Sequence, residues 1–329
     1  MVDPDVSSLA GSKPVSSAAI CFLCRSAPLY RIPYLNLRSL GLLRGLAYKL
    51  PLWFANGLAR VSPKFARAYR PVETNRRYFT LTQCYCEACG TSSVEPQFDE
   101  ARLSRYYEEY YWDNRDAVDG RHLADDAAPN DLQLAWSAAR IAWFQPYVPA
   151  FATAIDFGAG DCAASFLLRT RANVTAVDPS TKTRGIAASY GVDWRGTLTE
   201  CEPVDLLYAS HALEHVHDLL EVFALMLERV LPGGHLFFEV PNVSSKEVFT
   251  KLCHTPHTIS LSKGSFEQLA HRFDCRIVAM EDVGGPWQIA GKHVTDPAKA
   301  DLRVLIQRPK GQDLFNVRQI GLDIRQPVK

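Results

Sequence analysis

Three groups of residues in this 329-residue chain have the types and spacing to do chemistry. The first is a pair of cysteine knuckles, Cys21-x-x-Cys24 and Cys86-x-x-Cys89-Gly90. Two such pairs can present four thiolates tetrahedrally to zinc, so Cys21, Cys24, Cys86 and Cys89 are expected to form a structural metal site. About 60 residues separate the knuckles, more than a zinc ribbon usually allows, which makes the stretch between them an insert. Cys84 is an alternative ligand or a spare thiol, and buried thiols without metal are the other reading of the set. Cys162, Cys201, Cys253 and Cys275 are scattered, as core cysteines are.

The second group is histidine-rich. His211, Glu214, His215 and His217 crowd one short stretch, and His254-Thr255-Pro256-His257 forms another. Imidazoles titrate near neutrality and can take a proton from a bound acceptor. His257 is the first candidate for such a base, with His215, His211 and His254 behind it. The plainer alternatives are that Glu214 and His215 only orient their turn, and that His257 is a surface or helix-entry residue.

The third group is the turn Asp156-Phe157-Gly158-Ala159-Gly160-Asp161-Cys162-Ala163, with Asp178 about 20 residues further on. On spacing alone this satisfies a dinucleotide fingerprint, Ala163 taking the third small position. Charge argues otherwise, because Asp156 and Asp161 would repel a pyrophosphate. A ligand with a cationic amino-acid end and a ribose fits better, and S-adenosylmethionine has that shape.

These groups need a scaffold, and the pattern supplies one. A helix is expected from Asp131, ending near Pro146. Strand and helix signals then alternate: TAIDF, the glycine turn, a helix through Phe166 to Arg169, NVTAVD, a short helix and VDLLYAS. A helix with Leu219, Phe223, Met226, Leu227 and Val230 on one face follows. Then come GGHLFFEV, a helix from Ser265 to Arg272, CRIVAMEDV and LRVLIQ. Short apolar strands alternating with amphipathic helices imply an α/β fold, a doubly wound parallel sheet with an antiparallel finish.

Composition narrows the function classes. Lys+Arg and Asp+Glu are 36 each, so a dedicated nucleic-acid binder, normally basic, is not expected. No stretch reaches the roughly 20 apolar residues of a membrane span. The leader 1–17 is polar and small, without an apolar core, so a cytoplasmic protein with reduced thiols is expected. The neutral total hides an uneven distribution. No Asp or Glu occurs from Val6 through Val72, while acids dominate from Glu95 to Asp131. The small, acidic, proline-ended stretch Ala124 to Pro129 reads as a linker. The expected organisation is therefore a leader (1–17), a zinc-binding domain with a basic insert (18–128), a catalytic domain (129–309) and a tail (310–329).

AIDFGAGDCAASFLL, VTAVDPS, VDLLYASHALEHVHD and LPGGHLFFEVPN occur in an order and spacing that resemble the class I S-adenosylmethionine-dependent methyltransferases, over about Asp131 to Pro309. The resemblance implies a Rossmann-like sheet of seven strands. It implies that Asp156, Gly158 and Gly160 shape the methionine end of the cofactor site and that Asp178 holds the ribose. Ala209, Ser210 and His211 would line the sulfonium side. Cys162 stands where the family has a third glycine, and the adenine contact is unassigned, with Leu198 one option. The paired cysteines and the aromatic run Tyr106 to Trp112 also resemble the N-terminal zinc-binding portion of sugar C-methyltransferases. In that group a Tyr-x-Glu-His block abstracts the proton; of it only His257 is matched here, so the acceptor atom stays open among O, N and C.

The expected acceptor is a small or lipid-linked molecule. The basic insert, which mixes Leu, Trp and Phe with Arg and Lys, could lie on an anionic membrane surface, receive an anionic substrate, or pack as a helical hairpin. Two rival readings are a zinc-ribbon interaction protein with a non-catalytic α/β domain and an NAD-dependent oxidoreductase.

Overall fold

The structure is a computed structural model and describes residues 20–26, 29–33, 82–95, 131–242, 257–283, 286–289, 292–295 and 301–311. The leader, nearly all of the basic insert, the aromatic run, the acidic linker, Cys253, His254 and the tail beyond 311 lie outside the described residues. Three short strands come first: β1 (Leu29–Pro33), β2 (Thr82–Cys86) and β3 (Ser92–Glu95). Next come helix α1 (Asp131–Phe144), β4 (Thr153–Phe157), α2 (Ala163–Leu168), β5 (Asn173–Val177), α3 (Thr181–Ser189), β6 (Asp193–Arg195) and β7 (Val204–Ser210). The chain continues through α4 (Leu219–Glu228), β8 (Val230–Pro241), β9 (Ile259–Ser260), α5 (Lys263–Arg272), β10 (Arg276–Val283), β11 (Pro286–Ile289), β12 (Lys292–Thr295) and β13 (Asp301–Gln307).

The central sheet has seven strands in the order β10-β13-β8-β7-β4-β5-β6. Strands β4 to β8 run parallel, and β13 lies antiparallel to both β8 and β10. The chain winds outward from β4 through β5 to β6, then crosses back to β7 and β8 on the other side. The carboxyl ends of β4 and β7 therefore flank a topological switch point, where open α/β sheets bind ligands. Both faces of the sheet are covered, which explains its unbroken apolar runs. In β8, Phe237 packs with Phe144, Tyr208 and Leu168 on one face, while Phe238 packs with Phe223, Phe266 and Phe273 on the other. Leu206 and Leu207 divide in the same way, as the two-residue strand period requires.

Local chemistry sets the helix starts. Asp218 caps α4, accepting hydrogen bonds from the backbone N–H groups of Leu220 and Glu221, both at 3.1 Å. Ser262 and Ser265 form a reciprocal capping box on α5. This helix thus starts two residues earlier than its apolar pattern implies, because Ser265 is its third residue and not its entrance. The β11–β12 hairpin, inserted between β10 and β13, was not anticipated from sequence. Among the described residues no helix is long and apolar enough to cross a membrane.

The N-terminal strands form a second sheet, β1-β2-β3-β9, completed by Ile259 and Ser260 from the segment before α5. Cys21, Leu23, Cys84, Cys86 and Cys89 share one hydrophobic cluster with Phe266, Leu269 and Phe273 from α5 and its end. Polar contacts reinforce this docking. Ser262 Oγ donates to the Cys89 carbonyl at 2.7 Å, Thr91 and Ser265 hydroxyls meet at 2.7 Å, and Arg272 donates to the carbonyls of Phe22 and Leu23. Gly264 is required here, because a Cβ on it would stand 2.8 Å from the Cys89 carbonyl oxygen.

Candidate active site

The turn after β4 is built by backbone geometry that its sequence permits. Gly158 and Gly160 have φ values of +71° and +52°, in the left-handed region that favours glycine. A Cβ on Gly158 would lie 2.6 Å from the Ala212 Cβ, so the β4 turn and the turn after β7 approach more closely than any side chain would allow. Cys162 is also left-handed, with φ +57°, and caps α2 without a side-chain hydrogen bond. It is a buried core thiol, and burial pushes that thiol far up from its usual range.

The acidic residues of the turn have distinct roles. Asp156 is buried, and its Oδ2 accepts from both the N–H (3.0 Å) and the hydroxyl (2.6 Å) of Ser165, tying the strand tip to α2. Burial raises its carboxyl to about 7 in spite of those bonds. Asp161 accepts from the Ala163 N–H at 3.1 Å and from the Gln133 side chain, which brings α1 over the turn. Asp178 receives the Gly160 N–H on one oxygen (3.0 Å) and the Ser180 N–H on the other (2.9 Å). Its carbonyl accepts from the Trp194 indole at 3.1 Å, and Arg184 lies over that indole. Leu198, the sequence-level option for an adenine contact, is buried in a single 3-10 turn, so Trp194 is the aromatic ring beside Asp178.

Across the switch point the tips of β7 and β8 and the start of β13 carry a dense charge network. The Glu239 carboxylate accepts from Arg303 Nε at 2.6 Å and from Arg140 of α1, and Ser210 Oγ donates to it at 3.4 Å. His211 has φ +50° and presents Nδ1 to Glu214 at 3.3 Å and Nε2 to Glu239 and Asp301 at 3.4 and 3.7 Å. Burial alone would lower the His211 imidazole, but the Asp301, Glu214 and Glu239 carboxylates hold it well above its usual value. Burial opposes ionisation of Glu239 as well, yet contact with His211 and the charges of Arg140 and Arg303 keep it below the usual carboxylate range. Next to this network, the His215 and His257 rings meet edge to face with centroids 4.6 Å apart, and Glu214 lies behind them. The segment holding His257 is fixed by Thr258, whose N–H donates to the Glu214 carbonyl (2.9 Å) and whose hydroxyl donates to the Val216 carbonyl (2.7 Å).

The four knuckle cysteines converge elsewhere. Cys21 and Cys89 Sγ atoms are 3.7 Å apart, and those of Cys24 and Cys86 are 3.5 Å apart. Thiolates about 2.3 Å from a tetrahedral zinc stand roughly 3.8 Å from one another, so the set fits that ion. Cys84 is buried in the core and is not a member of the group. No disulfide forms among the described cysteines.

The structure thus brings Gly158, Gly160 and Asp178 together at the ends of β4 and β5 and sets Ala209 and Ser210 at the adjoining end of β7, with Asp156 behind the turn and His211, His215 and His257 on the β7–β8 side. Sequence reasoning missed Arg140, Glu239, Asp301, Arg303 and Trp194. Glu239 carried a visible signal, an acid within the apolar run LFFEV. Its partners did not, because only the pairing of Arg303 with Glu239 across β13 and β8 brings them together.

Residues 130–280 match the family described as a methyltransferase domain. No curated protein matches the chain. Similar solved structures include the N-methyltransferase NodS of Bradyrhizobium japonicum bound to S-adenosylhomocysteine, 15% identical, covering 59% of this chain and 97% of that one, with a TM-score of 0.44. A 1,6-didemethyltoxoflavin-N1-methyltransferase of Burkholderia thailandensis is 14% identical over 70% of this chain and 96% of that one, with a TM-score of 0.47. The magnesium protoporphyrin IX methyltransferase of Synechocystis is 13% identical over 64% of this chain and 100% of that one, with a TM-score of 0.46. The match places a methyltransferase domain at residues 130–280.

Proposed function

We propose that the protein transfers the methyl group of S-adenosylmethionine to a small or lipid-linked acceptor held between the glycine turn and the His215–His257 pair. The cofactor, when bound, supplies a methyl group on a cationic sulfur, which an acceptor atom displaces in line. The observation that carries the reading is the cradle at the switch point. Its left-handed Gly158 and Gly160 bend the turn so that the Gly160 N–H reaches Asp178, while Ala212 packs against Gly158 from the β7 side. Asp178 would hold the ribose, with Trp194 beside it for the adenine. Asp161 in the turn suits a cationic ligand end better than a pyrophosphate, while Asp156 is committed to Ser165 behind the turn.

His211, held between the Glu214, Glu239 and Asp301 carboxylates, suits a positioning role for the β7 tip. His257, His215 and Glu214 are left to activate the acceptor, and the geometry is compatible with an O, N or C atom. The four knuckle cysteines are proposed to bind one zinc ion that stabilises the N-terminal sheet in a reducing compartment. The experiment is calorimetry with S-adenosylhomocysteine. Micromolar binding by the wild type, weakened at least tenfold in Asp178→Ala, is expected; no binding by the folded wild type would sink the reading.

A further inference from the structure

The acceptor end contains a second set of metal-ligating groups, separate from the cysteines. One ligand atom from each of Glu214, His215 and His257 lies within 4.8 Å of the other two. Glu214 is 1% exposed, and neither carboxylate oxygen makes a hydrogen bond among the described residues. The imidazoles of His211 and His215 stand at ion-pair distance, 3.3 and 3.9 Å from Glu214 Oε1. A buried carboxylate without hydrogen bonds is costly unless a cation compensates it, and the single imidazole of His211 is divided among Glu214, Glu239 and Asp301. The neighbouring trio of His211, Glu239 and Asp301 is equally close-packed. There, however, the guanidiniums of Arg140 and Arg303 already neutralise Glu239, and a metal ion would be repelled. No arginine or lysine pairs with Glu214 among the described residues.

We propose that Glu214, His215 and His257 hold one divalent cation, and that this cation receives the acceptor through an oxygen atom. Two imidazoles and one carboxylate suit zinc or manganese and leave coordination positions open. His215 and His257 are partly exposed whereas Glu214 is not, so the open positions face the crevice. The proposal rests on the reading of this crevice as the acceptor site. A cation there would polarise an acceptor hydroxyl, whose proton leaves to solvent. The new O–CH3 bond then forms as the S–CH3 bond breaks, and the electron pair of the broken bond remains on sulfur.

The test uses the full-length, zinc-loaded protein titrated with Mn2+ and followed by electron paramagnetic resonance. Thiolates retain zinc in preference to manganese, so Mn2+ reports the nitrogen and oxygen ligands. One Mn2+ per chain is expected to bind, with affinity at least tenfold weaker in Glu214→Gln and in His257→Gln. His235→Gln, at the opposite end of β8 beside Leu206, should bind it as the wild type does. Failure of the wild type to bind either Mn2+ or zinc beyond the cysteine ion overturns the proposal, as does unchanged binding in both variants. If Glu214→Gln does not fold, His257→Gln and the wild-type stoichiometry decide. Calorimetry with S-adenosylhomocysteine on the same samples keeps the two readings apart. Its absence in the wild type overturns the cofactor reading, while the manganese result still decides the metal site.

Discussion

Asp156 and Gly158 show how single residues in the β4 turn are constrained. Both Ser165 bonds to Asp156 fall on one oxygen, so a carboxamide oxygen can replace it. The folded carboxyl lies near 7, raised by burial from the usual 3.8, so the native state holds this proton more tightly than the unfolded chain. Stability from this group is full below about pH 4 and is lost as pH rises towards 7. Asp156→Asn is therefore expected to match the wild type in melting temperature near pH 4 and to exceed it increasingly up to pH 7; a constant difference across that range would refute the assignment. Gly158 is constrained twice, by φ +71° and by Ala212. Strain at such a position costs about 1–3 kcal/mol, so Gly158→Ala should lower the melting temperature and weaken S-adenosylhomocysteine binding at least tenfold. The glycines and Asp178 were legible in the sequence because a tight turn and its acidic partner have a fixed spacing. Arg140, Asp301 and Arg303 were not, since their partners lie in distant strands.

Elements differ in how much they tolerate, and two glycines in helices make the contrast measurable. Gly185 of α3 has nothing within 4 Å of a built Cβ, so Gly185→Ala should stabilise the protein by about 0.5–1 kcal/mol in chemical denaturation. Gly264 of α5 faces the Cys89 carbonyl at 2.8 Å, so Gly264→Ala should destabilise the protein and speed the reaction of the knuckle thiols with a thiol reagent. Equal behaviour of the two variants would mean that α5 does not depend on the knuckle. Six strands of the central sheet and most helices were readable from their apolar periods, whereas the short β6, β9 and the knuckle strands β1 to β3 were not. The start of α5 was not, because its capping serines look like loop residues until the capping box closes. The β11–β12 hairpin gave no apolar alternation to mark it.

At the scale of the molecule, the knuckle sheet and the seven-stranded sheet share one core, and the knuckle sheet takes its fourth strand, β9, from the segment before α5. The segment that fixes His257 is thus held from both sides, by Thr258 on the β7 turn and by Ser92 and Ser93 on the knuckle side. Removing the proposed zinc ion from the cysteines with a chelator is expected to lower the melting temperature in a single transition. It should also increase hydrogen exchange at residues 257–262 before the β4–β5 core opens; unchanged exchange in that segment would separate the knuckle from the site. The sequence by itself determined the order of the strands, the glycine turn, its acidic partner and the two cysteine pairs, because each is set by local spacing. Only the tertiary structure decided that His257 meets His215 and Glu214, that His211 is locked among carboxylates, and that the knuckles rest on α5. Those contacts join residues far apart in the chain, and no local pattern encodes a distance that the fold alone closes.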